Sequence, residues 1–441
     1  MRSGRRSSSR ESSSISSSAS QSPAAYLRLV GLGAIIGIPA ALVAALLTAF
    51  VHDLEHWLWD ELPESLGASS PPWYLVLGLP VVGALIVLIA RRLFPGDGGH
   101  PPLEGIGGGP VPVAYAPGIA LAAIGTLSFG AVLGPEAPLI ALGSATGMVV
   151  THFVRLGERE RGVVATAGSF SAISALFGGP LVGGVMLVEG GLALGTGLIP
   201  VLLPGFVAAA VGYVLFVGLG DWGGLSSQGL AVPNLPAYNG THIYDLIVAV
   251  VVGLVAAATV SVVRRYAFAL ADRGGRRFGL ASLLLGGALL VGLTAQIADW
   301  LGADPQDVLF SGQASVGNLA QLDSTKIILI LLLAKAVAYL ICLGCGFRGG
   351  PVFPAIFLGI AVATFAHAWF DVSPTLAIAA GSAAGMAAGT RLLITSVLFA
   401  ALLVGKAGQD AVPAAVLAAA SAWLVMQALD RRAGKAAPPA A

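Results

Sequence analysis

Long apolar stretches follow one another through nearly the whole chain, and this feature limits the possible fold more than any other. A transmembrane helix needs about 17 to 25 predominantly apolar residues. Of the 441 residues, 56% are hydrophobic and 10% are charged, whereas soluble domains are about a quarter charged. The sequence therefore predicts an all-α, polytopic membrane protein. The apolar runs are Val30–Val51, Trp73–Ala90, Val111–Leu133, Gly162–Val188, Leu192–Leu219, Leu246–Val263, Leu280–Ala298, Ile327–Ile341, Ile378–Val404 and Ala411–Leu429.

Two further apolar pieces, at 134–150 and 349–370, are interrupted by glycine and proline and look too short or too broken to be simple spans. Gly134-Pro-Glu-Ala-Pro138 opens the first, and Gly349-Gly-Pro-Val-Phe-Pro354 opens the second. Non-helical backbone at membrane depth is tolerated only where it lines a cavity or is packed in protein. Paired broken segments in corresponding positions are typical of transport folds with two inverted halves.

The chain divides accordingly into two transmembrane halves with polar ends. We predict a disordered Ser- and Arg-rich tail at 1–25, a first half at 26–220, a linker loop at 221–239, a second half at 240–430 and a short C-terminal tail at 431–441. The N-terminal tail has little apolar surface to bury. Its arginines favour the cytoplasm, so we expect an integral protein of the plasma membrane with a cytoplasmic N-terminus.

Glu136 is a single carboxylate between two prolines, at the start of a predicted helix with no other charge nearby. The free N–H groups at a helix start and the helix dipole both favour an anion. Glu136 could fill that place itself or give it up to a dissolved anion, which would make it a gate. The alternative is an ordinary membrane helix with a glutamate in its first turn.

Several motifs occur in the order found in one known family. Gly134-Pro-Glu-Ala-Pro138 resembles the Gly-Arg-Glu-Gly-Pro gating motif of the ClC family of chloride channels and anion/proton exchangers. Gly349-Gly-Pro-Val-Phe-Pro354 resembles its Gly-x-Phe-x-Pro motif, and Asp97-Gly-Gly-His-Pro-Pro-Leu-Glu-Gly105 resembles its Gly-Ser-Gly-Ile-Pro segment with the following acidic residues. The resemblance covers roughly residues 26–430.

The resemblance implies a homodimer in a lipid bilayer, in which each subunit conducts chloride or another small inorganic anion. Glu136 would take the role of the gating glutamate. No catalytic residue is implied, and the only bound species would be the transported ion, with no cofactor. The implied anion-binding positions are Gly98, Gly99, Gly134, Pro135, Ala137, Gly350, Val352 and Phe353.

This sequence also departs from the family pattern. Gly98 stands where the family often has a serine hydroxyl, Pro351 has no N–H to offer an anion, and no tyrosine follows Leu429. The position of the exchangers' intracellular glutamate falls on Gly190, although a shift of one residue would make Glu189 part of a proton path. We therefore favour a channel-like or loosely coupled conductor.

Three alternatives stay open. The first is proton-coupled antiport of chloride or another anion, and the second is a preference for fluoride or nitrate. The third is an intramembrane enzyme, which would need a nucleophile with a base, or a metal cluster, inside the apolar runs. We find no such constellation in the sequence, and expect no enzyme.

The remaining features point away from metals and nucleic acid. Cys342 and Cys345 lie in a lipophilic run without a second pair or a neighbouring histidine, so we predict neither a metal site nor a redox site. The formal net charge of +1 indicates no basic surface for nucleic acid. His100 lies near the proposed path, where its protonation could tune anion passage.

Overall fold

The computed structural model describes residues 23–191, 198–225 and 230–434. Residues 1–22 and 435–441 of the predicted tails, and 226–229 of the predicted linker loop, lie outside the described residues. The first helix begins at Pro23. The last three residues assigned to the N-terminal tail therefore belong to a helix.

Helices dominate the described part of the chain, which contains no β-strand. They are α1 Pro23–His56, α2 Leu62–Ser65, α3 Trp73–Leu93, α4 Ala116–Leu127, α5 Glu136–Val149, α6 Glu158–Leu176, α7 Pro180–Gly190, α8 Ile199–Val217, α9 Ile243–Trp300, α10 Pro305–Val308, α11 Val316–Leu319, α12 Thr325–Gly344, α13 Val352–Phe370, α14 Pro374–Thr390, α15 Leu393–Val404 and α16 Val412–Arg432. Helix α9 is broken at Gly279, where φ is 71°. The all-α prediction is confirmed.

Seven helical stretches in the described residues are long and apolar enough to cross a membrane. Helix α13, with 19 residues, is among them, so the second interrupted piece, expected to be too short or too broken for a simple span, is not too short. Helix α5 has 14 residues, about 21 Å at 1.5 Å per residue. That length is less than the roughly 30 Å of a bilayer core, so α5 fits the prediction of a partial span.

Each half packs its interrupted helix tightly against the next helix in the chain. At the α5–α6 contact, a Cβ on Gly143 would lie 2.5 Å from the carbonyl oxygen of Gly168. At the α13–α14 contact, a Cβ on Gly359 would lie 2.1 Å from the carbonyl oxygen of Gly381. Glycine is required at both crossings because the two backbones touch. Small residues of this kind are typical of helix packing in membranes.

Helices α13 and α14 form the centre of the second half. Both are almost entirely buried, and they pack against each other and against α9, with α12 beside α13 and α15 and α16 beside α14. This packing holds the start of α13 deep inside the protein. The start of α5 is equally buried.

Candidate functional site

The first interrupted segment leads from α4 into α5 through a short irregular stretch. Helix α4 ends at Leu127, and Gly130 turns the chain with a φ of 86°, a conformation that favours glycine. Pro135 is the N-cap residue of α5, so Glu136 occupies the first turn of that helix. Helix α5 therefore begins where the Gly-Pro-Glu pattern predicted a helix start.

The second interrupted segment has the same design. Helix α12 ends at Gly344, Gly346 turns the chain with a φ of 95°, and Pro351 is the N-cap residue of α13. The Tyr339 hydroxyl on α12 donates a 2.7 Å hydrogen bond to the carbonyl oxygen of Pro351. Tyr339 is fully buried, and this bond fixes the turn that starts α13.

The two helix starts meet. The N–H of Gly134 donates to the carbonyl of Gly350 at 2.7 Å, and the N–H of Gly350 donates to the carbonyl of Gly134 at 2.5 Å. This pair forms an isolated antiparallel bridge. Helices α5 and α13 therefore begin side by side, as an inverted-repeat fold requires.

Glu136 lies directly at this junction and is fully buried. One carboxyl oxygen, Oε1, accepts a 2.9 Å hydrogen bond from the backbone N–H of Phe353 at the start of α13. The other oxygen, Oε2, is buried without a hydrogen-bond partner among the described residues. The carboxyl group of one broken helix thus occupies the anion-favouring end of the other.

Glycine is needed on both sides of this carboxyl group. A Cβ on Gly350 would lie 1.6 Å from Glu136 Oε2, and a Cβ on Gly134 would lie 2.3 Å from the same atom. A side chain at either position would therefore push the carboxyl group out of its place.

The predicted gate and the predicted anion-binding residues fall into three groups. Glu136, Val352 and Phe353 lie together at the helix starts, with Ala137 in the first turn of α5. The N–H groups of Gly134 and Gly350 are already paired with each other, and Pro135 has none, so none of the three offers an N–H to an anion. Their contribution is to shape the junction. Gly98 and Gly99 lie in the loop between α3 and α4.

That loop is fastened to the start of α13 through Asp97. The Asp97 carboxylate accepts from Arg91 Nε and Nη2, at 2.8 Å and 2.7 Å, and also from Arg348 Nη2. Arg348 Nε donates to the Asp97 carbonyl at 2.8 Å, and Arg91 Nη1 donates to the Gly346 carbonyl at 2.7 Å. These contacts hold Gly98 and Gly99 next to the second interrupted segment.

Asp97 has an exposed carboxylate in a loop outside the membrane-spanning segments. Partial burial raises its pKa, but the hydrogen bonds and charges of Arg91 and Arg348 outweigh this effect, so the pKa of Asp97 lies below its ordinary value. The carboxylate therefore stays ionised at neutral pH.

Aromatic rings surround the start of α13. Phe177, which follows α6, stacks on Phe353 with ring centroids 5.8 Å apart, and both rings contact Phe399 of α15 edge-on. Sequence reasoning missed Phe399 and Tyr339 as neighbours of the site. The Tyr339 hydroxyl within an apolar run was the one available signal, because a buried hydroxyl requires a partner.

Glu189, the candidate for a proton path, lies near the end of α7 and contacts the start of α15. Its carboxylate accepts from the backbone N–H groups of Leu393, Ile394 and Thr395, at 2.5, 3.0 and 2.9 Å. The Thr395 hydroxyl donates a further 2.7 Å bond. Glu189 thus fills the anion-favouring end of α15, as Glu136 fills that of α13.

Lys335 is fully buried on α12. Its Nζ donates to the carbonyl oxygens of Asp307 and Leu309, at 3.0 and 2.6 Å, and lies 4.6 Å from the centre of the Phe357 ring on α13. The ammonium group therefore faces protein, as an unpaired charge in lipid would be costly.

No group of three or more His, Cys, Asp or Glu side chains in the described part of the chain could hold a metal ion. Cys342 and Cys345 are buried free thiols. The Cys342 Sγ accepts a 3.1 Å hydrogen bond from the N–H of Val132. This thiol supports the backbone that leads into the first interrupted segment.

Comparison with known proteins identifies a family and several relatives of this chain. The family profile described as "Voltage gated chloride channel" matches residues 82–427. The "Putative ion-transport protein YfeO" of Escherichia fergusonii is 27% identical over 343 residues, which cover 75% of this chain and 77% of that protein. Its counterpart in Escherichia coli O139:H28 is 28% identical over the same coverage.

Solved structures share the fold. A slow cyanobacterial Cl⁻/H⁺ antiporter superposes with a TM-score of 0.73 at 18% identity, over 91% of this chain and 95% of its own. A CLC-type fluoride/proton antiporter superposes with a TM-score of 0.70 at 20% identity, over 93% of this chain and 98% of its own. The profile match, which extends over most of the chain, shows that the protein belongs to the voltage-gated chloride channel (ClC) family.

Proposed function

We propose that this protein transports chloride or another small inorganic anion across a membrane, with Glu136 as the gate. The observation that carries the proposal is the position of the Glu136 carboxyl group. It is fully buried between two helix starts, with a hydrogen bond from the Phe353 N–H to one oxygen and none from the described residues to the other. An anion that replaced this carboxyl group would meet the same amide.

In the closed state, the Glu136 carboxyl group fills the junction. Because the group is buried there, this state is stable only under certain conditions. An ionised carboxylate in a low-dielectric site is costly unless donors hold it, and among the described residues the Glu136 carboxyl group has a hydrogen bond on Oε1 and none on Oε2. Protonation, or competition by a dissolved anion, would release the side chain. Anion flux should therefore depend on both pH and anion concentration.

Glu136→Ala tests the gate. In proteoliposomes loaded with chloride, we expect this variant to show altered efflux and no pH dependence, with the same elution volume as the wild type. Glu136→Gln has nearly the same size but no charge, and should also lose the pH dependence. Flux and pH dependence equal to the wild type in both variants would remove Glu136 from the gate.

The arrangement of Glu189 supports a channel-like or loosely coupled mechanism. A proton path needs a group that is free to exchange its proton, whereas the Glu189 carboxylate is occupied by the N–H groups that start α15. The position beside it is Gly190, which cannot carry a proton. In this proposal Glu189 stabilises the contact between α7 and α15.

Proton-coupled antiport is the second candidate. The unpartnered Oε2 of Glu136 favours it, because burial without a partner promotes proton uptake by the carboxyl group, and a side chain that is released with its proton can carry it along the path. The antiporter structures named above share the fold. A chloride gradient that drives protons against their own gradient in liposomes would establish antiport and exclude the channel mechanism.

The anion, the assembly and the membrane orientation complete the proposal. We propose chloride as the anion, to be tested against fluoride and nitrate by tracer competition. We further propose a homodimer of the plasma membrane with a cytoplasmic N-terminus. Mass photometry in nanodiscs measures the assembly, and thiol labelling of a cysteine introduced near Pro23 in intact cells tests the orientation.

A further inference from the structure

Helix α9 is too long for a single crossing of the membrane. It runs without a break from Ile243 to Phe278, about 54 Å at 1.5 Å per residue, and bends at Gly279. A bilayer core is about 30 Å thick, and the apolar run Leu246–Val263 covers most of that distance. The segment that follows this run, residues 264–279, therefore lies at the membrane surface. We call this segment the α9 elbow.

The elbow stays close to the hydrocarbon. The next apolar run begins at Leu280, directly after the bend. A Cβ on Gly274 would lie 2.7 Å from Leu283 Cδ1, so the two arms of the bend touch. Phe278, which ends the first arm, is 58% exposed. The elbow therefore lies at the level of the lipid headgroups and does not project far into water.

Two arginines of the elbow continue the lipid-facing side of α9. Val255, Val262 and Tyr266 are exposed along the helix, and exposed apolar side chains within a span face lipid. They are separated by seven and four residues, and Arg273 and Arg277 follow at the same two spacings. These spacings keep to one helix face, and both arginines are exposed. One side of α9 thus changes from apolar to basic where it leaves the hydrocarbon.

The elbow carries an unbalanced positive charge. It contains five arginines and one acidic residue, Asp272. Asp272 pairs with Arg276, and Arg264 donates to the carbonyl oxygen of Leu103 at 3.1 Å. The remaining three have no carboxylate partner among the described residues, and they are Arg265, Arg273 and Arg277.

The end of α3 brings a further positive charge to the same membrane face. A Cβ on Gly346 would lie 2.7 Å from Arg91 Nη1 and 3.2 Å from Leu280 Cδ1, so the last turn of α3 lies beside the elbow. Arg92 follows Arg91 and is exposed, and no carboxylate in the described part of the chain pairs with it. Arginine-rich helix ends are typical of the cytoplasmic face, whose leaflet carries anionic lipids.

We propose that the α9 elbow binds the headgroup of an anionic phospholipid, with Arg273 and Arg277 on its phosphate. The planar guanidinium group matches phosphate oxygens with two parallel hydrogen bonds. The acyl chains would lie along Val255 and Val262, and Tyr266 would lie at the boundary between chains and headgroup. A phospholipid fits both the apolar and the basic part of this helix side, whereas a dissolved anion fits only the basic part. The inference does not depend on the proposed anion transport.

A lipid at the elbow would support the second interrupted segment. A Cβ on Gly344 would lie 2.9 Å from the Ala267 carbonyl oxygen and 3.0 Å from Leu270 Cδ2, so the inner side of the elbow packs on the end of α12. That end leads through Gly346 to the start of α13. Bound lipid should therefore raise the melting temperature of the whole protein.

The test measures lipid binding to the full-length protein by native mass spectrometry from detergent micelles. The probe is dioleoylphosphatidylglycerol, and dioleoylphosphatidylcholine has the same chains without net charge. We expect tighter binding of phosphatidylglycerol and a higher melting temperature in its presence. The double variant Arg273→Gln/Arg277→Gln should bind phosphatidylglycerol about 30-fold more weakly, as expected for the loss of two arginines at an anionic surface.

Arg431→Gln/Arg432→Gln is the matched control, because it removes the same charge from an exposed pair at the end of α16. It should bind phosphatidylglycerol as the wild type does. If the double elbow variant does not fold, Arg273→Gln alone, with an expected fivefold or so weaker binding (about one arginine's share), carries the test.

Three results would overturn the lipid site. The first is equal affinity of the wild type for the two lipids, and the second is an elbow variant that binds phosphatidylglycerol no more weakly than the control variant does. The third is stabilisation by glycerol phosphate equal to that by phosphatidylglycerol, which would assign the arginines to a dissolved phosphate. Chloride flux decides none of these results, so the proposed function is tested separately.

Discussion

Substituting Gly350 by alanine should open the gate while residue 136 remains glutamate. The three atoms closest to a Cβ at position 350 all belong to the Glu136 side chain: Oε2 at 1.6 Å, Cδ at 2.6 Å and Cβ at 3.1 Å. Gly350 has no positive φ angle, so alanine imposes no backbone strain there. The nearest contacts of the new methyl group are therefore all with the Glu136 side chain.

The size of the effect follows from the contacts. Carbon and oxygen atoms that are not bonded stay about 3 Å apart or more, so Oε2 must retreat by roughly 1.4 Å. A movement of this size breaks the 2.9 Å hydrogen bond from the Phe353 N–H to Oε1. Such bonds to charged groups contribute about 1.5 to 3 kcal/mol, which is about a 10- to 150-fold shift toward the released position.

Chloride efflux from proteoliposomes across a pH series measures this shift. Gly350→Ala should resemble Glu136→Ala, with altered flux and a weakened pH dependence. The double variant should behave as Glu136→Ala does, because the methyl group then has no carboxyl group to displace. Gly286→Ala is the matched control, since a Cβ at that position of α9 meets nothing within 4 Å.

One result would refute this reasoning. If Gly350→Ala folds, elutes like the wild type and keeps its flux and its pH dependence, the carboxyl group does not control the path from the position described. An additive double variant, in which the two effects sum, would also contradict direct contact between the two residues.

Three other predictions concern the contacts around the site. The pKa of Asp97 is below its ordinary value, so its contribution to stability is present above about pH 4 and is lost in stronger acid. Asp97→Asn should therefore lower the melting temperature at pH 7. The difference from the wild type should shrink as the pH falls below about 4. Glu189→Ala should lower the melting temperature more than Glu189→Gln, because it leaves the N–H groups at the start of α15 without an acceptor. If instead Glu189→Gln abolishes proton movement that the wild type performs, Glu189 belongs to a proton path. Lys335→Met should free the carbonyls of Asp307 and Leu309, and faster protease cleavage within 304–312 in the variant than in the wild type would verify this.

Much of the architecture could be predicted from the order of the residues along the chain alone. The apolar runs predicted a helical membrane protein, because a segment surrounded by lipid must satisfy its backbone groups internally. The Gly-Pro patterns predicted interrupted segments that open at 134 and 349, because proline ends one helix and begins the next, and helices α5 and α13 begin at Glu136 and Val352. These are local rules, so no knowledge of distant contacts was needed.

The roles of individual groups depended on contacts between distant parts of the chain. Gly134 and Gly350 were predicted to bind anions, but their N–H groups pair with each other across the junction. Glu189 and Asp97 gained their partners from α15 and from the segment before α13. A sequence shows which donors and acceptors exist, whereas only the tertiary structure decides which of them are already paired and which are left free for an ion.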